Sequence, residues 1–180
     1  MSLSLVSTEN NGFRPLSAED LKLLQAEQFE HDEGYHREIT RLPVQKRITH
    51  MALHFSKYVG RLFEGADDER ALTDIFVIAL SSANILGIHL QTIEHFEAAK
   101  EDDSRGRFVA TLARASGRMS AACEKLDHLE EYPYRPTLSE AVLSISTAAQ
   151  TFAASKNLDL SAMVRVRLVG VRHKVFKPGG

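Results

Sequence analysis

One cysteine, five prolines and no apolar run longer than Ile75–Leu80 set the first limits on this chain. A lone Cys123 excludes an intrachain disulfide and suits a reducing compartment. A bilayer-spanning helix needs roughly 20 apolar residues, so no membrane span is expected. The stretch MSLSLVSTENNGFRP lacks the basic region and apolar core of a signal peptide. A formal net charge of −2 exerts no strong pull on nucleic acid or membrane. Five cations and no acid lie between Ser161 and Gly180, but aromatics beyond Phe176 are missing there, so no nucleic-acid partner is expected. There is no glycine-rich phosphate loop, and neither Cys123 nor any serine has the setting of a nucleophile. These absences describe a cytoplasmic protein.

What is present favours helix. Hydrophobic residues make up 43% and charged residues 26% of 180 positions, enough for one packed domain and too apolar for disorder. The pattern predicts an all-α bundle of about six to seven helices over 17–175, after a lead at 1–16 and before a tail at 176–180. Ser17 with Asp20 opens a first helix through about Thr40, whose apolar residues Leu21, Leu24, Ala26 and Phe29 thin out toward a solvated second half. Pro43 begins a second, striped by Val44, Ile48, Met51, Phe55, Val59 and Leu62. A third runs from Asp67 or Asp68 to Leu86, apolar all round in DIFVIAL and closed by Gly87. A short helix over 88–99, a charged turn EDDSRGR and a helix over 108–130 follow. Thr137 with Glu140 forms a capping box for a sixth helix through Ser155. MVRVRLVGVRHKVF alternates like a strand, yet Leu160, Val164, Leu168, Val171 and Val175 also fit a helix; with no partner strand, helix is favoured. ANILGIHL against ASKNLDL, and YVGRL against ASGRM, suggest a degenerate second copy of a hairpin in 105–175.

Chemistry-bearing residues gather on the second helix. Arg47, His50, His54, Lys57 and Arg61 recur at steps of three and four and share one face. That face is read as a solvated basic flank or as an anion pocket, in which His50 and His54 add charge as pH falls below about 6.5. His50 and His54 also have the i, i+4 spacing of a metal pair, with Asp74, His95 or a first-helix residue as third ligand. Glu27, Glu30 and Glu33, like Glu124, Asp127 and Glu131, form acidic faces. Glu33 with His36 matches the Glu-x-x-His of di-iron bundles, although no second such motif occurs.

HMALHFSKYVGRLFEG followed by ALTDIFVIALSSANILGIHL resembles the MazG-like all-α nucleoside triphosphate pyrophosphohydrolases over residues 40–100. Hydrophobic spacing, Gly60 and the Leu-Gly-Ile ending carry the resemblance. In that family one helix bears Glu-Glu-x-x-Glu and the next Glu-x-x-Asp, and these carboxylates hold magnesium. Here the first three fall on Lys57, Tyr58 and Arg61 and the fourth on Ala71; only Asp74 keeps its carboxylate. The resemblance implies a catalytically degenerate homo-oligomeric member with no expected cofactor, binding a phosphate-bearing small molecule or an acidic protein. The alternatives are a divergent hydrolase using magnesium and a histidine-based metal protein. Asp74 is expected either to form an ion pair at the old metal position, with Lys57 or Arg61 opposite it, or to lie on the wet edge of the third helix.

Overall fold

The computed structural model describes residues 15–93 and 101–171, with the backbone alone at 101–103. Ser17 and Asp20 exchange hydrogen bonds, the Asp20 amide donating to Ser17 Oγ at 3.1 Å and the Ser17 amide to Asp20 Oδ2 at 2.9 Å. This reciprocal cap starts α1 (Ala18–Tyr35). At His36 the backbone leaves helical geometry (φ −128°, ψ 40°), so the single helix expected through Thr40 is instead α1 and a short α2 (Arg37–Thr40). The second half of α1 is also less solvated than expected, because Gln28 and His31 turn inward where the leucines stop.

Pro43 precedes α3 (Val44–Phe63), where its missing N–H costs nothing. Asp67 caps α4 (Asp68–Leu86) by accepting the Arg70 amide at 2.7 Å. Gly87 closes α4 with φ +61°, a left-handed geometry that glycine adopts without strain, and the Ile88 amide reaches back to the Ala83 carbonyl at 3.0 Å.

The helix expected over 88–99 is absent at 88–93, and 94–99 lie outside the described residues. Side chains satisfy this extended backbone. Gln25 accepts the Leu90 amide and donates to the Ile88 carbonyl, and Gln150 donates to the Gln91 carbonyl at 2.9 Å. The charged stretch expected to turn is the start of α5 (Glu101–Asp127). Arg105 fixes it there, donating to both Asp68 oxygens at 2.9 Å and to the Leu62 carbonyl at 2.8 Å.

The sixth helix expected to open at Thr137 is α6 (Tyr134–Ser155), which begins three residues earlier and has no side-chain cap. Pro136 is tolerated in that first turn because amides there have no intrahelical acceptor. The terminal segment is helical as α7 (Leu160–Val171), with Leu160, Val164 and Leu168 buried; Val175 lies outside the described residues.

Among the described residues the protein is an all-α bundle of seven helices without a strand. No described helix is long and apolar enough to cross a membrane. The hairpin α3–α4 lies beside the hairpin α5–α6, with α3 against α5 and α4 against α6. Between α5 and α6, Phe108 and Phe152 stack with centroids 4.9 Å apart. The other side of α4 is covered by α1 and α7, which explains why this helix is apolar all round.

Candidate functional site

The helices α1, α2, α3, α4 and α7 enclose a cavity of about 280 Å³. Its apolar wall includes Met51, Val77, Ile78, Ile85, Leu168 and Val171. Its polar wall draws on α1 for His31 and Asp32, on the α1–α2 break for His36, on α3 for Arg47, His50, His54 and Lys57, on α4 for Asp74, and on α7 for Arg167. Four of the five residues of the basic face thus share one cavity. Arg61, the fifth, does not line it.

Asp74 is 7% exposed, and both its oxygens are engaged. Tyr58 donates its hydroxyl to Oδ2 at 2.6 Å, and Arg167 donates Nε to Oδ1 at 2.5 Å. The ion pair expected with Lys57 or Arg61 is therefore made by an arginine 93 positions away. Lys57 and Arg61 instead lie over the Tyr58 ring, at 4.8 and 5.5 Å from its centroid. Burial, the hydrogen bond to Asp74 and that residue's negative charge together push the Tyr58 hydroxyl up to about 12. Tyr58 stays a neutral donor as a result. Because the Arg167 guanidinium already neutralises its charge, Asp74 is poorly disposed to ligate a metal.

His50 and His54 face each other through Nε2 atoms 3.0 Å apart, rings edge to face, and Lys57 Nζ lies 3.3 Å from His54 Nδ1. If Lys57 donates to Nδ1, His54 must carry its proton on Nε2 and pass a hydrogen bond to His50. Burial, then the charge of Lys57, holds His50 below its ordinary value. The same two causes, followed by His50 itself, bring His54 down to about 4. Protonation of this pair near pH 6.5, expected from its sequence, is thus displaced to lower pH. Burial and the neighbouring Arg61 charge lower Lys57 as well.

At the α1 end the cavity holds His31 and Asp32, which the helical pattern did not select, beside His36, which it had joined to Glu33. His31 is 6% exposed, and neither ring nitrogen meets a hydrogen-bond partner among the described residues. Asp32 accepts Gln28 Nε2 at 2.8 Å and Ser81 Oγ at 2.7 Å. His36 sits beside His31 with ring centroids 5.4 Å apart. Among the described residues, His31, Asp32 and His36 are the one group of three possible metal ligands whose donor atoms fall within 4.8 Å of one another. A five-residue step diverges by about 140° on a continuous helix, so periodicity separates His31 from His36. Gly34, a poor helix former just ahead of the break, was the available signal.

The remaining sequence candidates lie elsewhere. Glu27 pairs with Arg165 at 3.1 Å, tying α1 to α7. Glu30, Glu33, Glu124, Asp127 and Glu131 are exposed, and Glu33 does not join His36 at the cavity. His95 lies outside the described residues. Cys123 is buried, which pushes its thiol up and leaves it unreactive. Comparison with known proteins finds no family model, curated protein or solved structure that matches the chain.

Proposed function

We propose that this chain is a binding module whose cavity takes one small phosphate-bearing molecule. The observation that carries the reading is a surplus of cation at the cavity wall. Three cations, Arg47, Lys57 and Arg167, face two carboxylates at the wall: Asp74 pairs with Arg167, Asp32 takes its hydrogen bonds from the neutral Gln28 and Ser81, and Arg47 and Lys57 form no ion pair among the described residues. Arg47 Nε is buried without a hydrogen-bond partner among the described residues. A planar guanidinium fork gains most from two oxygens of one phosphate or carboxylate accepting side by side. The apolar wall would hold the uncharged part of the ligand.

This is the chemistry of a MazG-like protein that has lost its magnesium carboxylates, the family that residues 40–100 resemble. At the corresponding positions Lys57, Tyr58 and Arg61 supply an ammonium, a phenol and a guanidinium, and the remaining Asp74 is spent on Tyr58 and Arg167. Hard oxygen ligands for magnesium are too few there. An association of copies of the chain, and an acidic protein in place of the small molecule, belong to the same reading.

Thermal melting of chelator-stripped protein with added inorganic phosphate or pyrophosphate tests the proposal. At a ligand concentration 100 times the dissociation constant the melting temperature should rise on the order of 5–10 °C, and Arg47→Met should abolish the rise. No shift with either anion, or one that Arg47→Met leaves intact, refutes anion binding. Magnesium-dependent release of pyrophosphate from nucleoside triphosphates would refute the degenerate site.

A further inference from the structure

The geometry points to a second, independent use of the same cavity: we infer that His31, Asp32 and His36 form a site for a divalent first-row transition-metal ion. Two imidazoles and one carboxylate are the donors that zinc, cobalt(II) and iron(II) share, and they are too nitrogen-rich for magnesium or calcium.

Two observations reach this site separately. The first is convergence: donor atoms of all three side chains lie within 4.8 Å of one another. A metal about 2.1 Å from each donor requires donor separations of about 3–3.5 Å, a closure that small side-chain rotations supply. The convergence depends on the break at His36, which returns that ring to His31 instead of carrying it around the helix.

The second is the buried imidazole of His31, which makes no hydrogen bond among the described residues although its Nδ1 lies 3.9 Å from Asp32 Oδ1. A neutral imidazole has one donor and one acceptor nitrogen, and burying both without partners is costly. A metal ion would take the lone pair. Gln28 Oε1, also buried and without a partner among the described residues, lies on the neighbouring turn of α1. It is available to accept a hydrogen bond from His31 or from a metal-bound water.

The supporting shell is already built. Ser81 from α4 and Gln28 from α1 each hold one oxygen of Asp32, fixing the carboxylate as outer-shell partners do in metal sites. Three protein ligands leave a coordination position open, and these residues line the cavity, so that position is accessible to water or an anionic oxygen. The His50–His54 pair is a poorer choice, because Lys57 sits against His54 and no third ligand joins the pair among the described residues.

Cobalt(II) is the probe. Chelator-stripped protein without a polyhistidine tag is titrated with cobalt(II), followed by its visible ligand-field absorption, and then competed with zinc. One equivalent should bind. His36→Ala and Asp32→Asn should each weaken binding at least about 100-fold, and Ser81→Ala about 10- to 100-fold. His50→Ala should leave the spectrum unchanged. Circular dichroism establishes that each variant is folded; if His36→Ala is not, His36→Gln replaces it. Absence of a stoichiometric complex, or one that depends on His50 and not on His36 and Asp32, overturns the site. Phosphate melts on stripped protein report on anion binding without metal, so either reading can fail while the other stands.

Discussion

Asp74 shows how much one side chain can organise. It is a buried carboxylate held by a phenol and a guanidinium from two other helices, so removing it leaves two donors aimed at nothing. Asp74→Ala should destabilise the protein by about 3 kcal/mol, the low end for a broken buried pair because Arg167 retains some contact with water. Tyr58→Phe, which removes one hydrogen bond to a charged acceptor, should cost about 1.5 kcal/mol. Urea denaturation checks both, and a loss within about 0.5 kcal/mol for Asp74→Ala would make it an ordinary surface residue. Its place in an apolar helix left a buried, paired Asp74 and a solvent-facing one equally open, and packing decided for the first. Its partner was not legible, because helix phase relates neighbours in sequence and says nothing of which distant helix closes over them.

His54 carries the pH dependence at this scale. Its folded value is about 4 against an ordinary 6.5, first through burial and then through Lys57. The unfolded chain therefore binds the proton more readily than the folded one between these values. Stability from this group is complete above pH 6.5 and is lost as pH falls toward 4. Urea midpoints at pH 7.5, 6.0 and 4.5 should fall in that order, and His54→Gln should flatten the decline. An equal decline in the variant would assign the effect to other groups.

At the scale of elements, helix existence followed from apolar period, and helix limits followed it only where a local cap decided them. Ser17, Asp67 and Gly87 end their helices through contacts a few residues away, and all three were readable. Positions 88–93 and 101–107 were misread for a shared reason. Gln25 and Gln150 hold the first in extended form, and Arg105 fastens the second to the α3–α4 turn, all through tertiary hydrogen bonds. Local propensity cannot register a partner supplied by another element. The α1–α2 break belongs to the same class, and it places His36 in the cavity. The basic face on α3 was legible as a face, but its placement against α1 and α7, which makes it a cavity wall, depended on packing.

Across the whole molecule α4 is the common element, packed by α1, α3, α6 and α7. Leu72, Ile75, Phe76, Ala79, Leu80 and Ala83 are all buried within it, so its amides should open only when the bundle unfolds. α2 has no buried residue, and α7 buries one face while Val166 and Val169 remain exposed. Native-state hydrogen exchange should therefore give α4 the slowest amides, with α2 and α7 exchanging through cheaper local openings. Such a gradient has a functional consequence, because α2 and α7 flank the cavity and α4 forms its floor. A ligand bridging the cavity walls would slow exchange in α2 and α7 by suppressing their local openings, and would slow α4 by the amount that binding adds to global stability. Phosphate added to stripped protein should protect Arg167 and Leu168 on α7, and cobalt(II) should protect the His36 region first. Exchange in α4 as fast as in α7 would contradict the central role given to that helix, and protection confined to α5 and α6 would place the ligand outside this cavity.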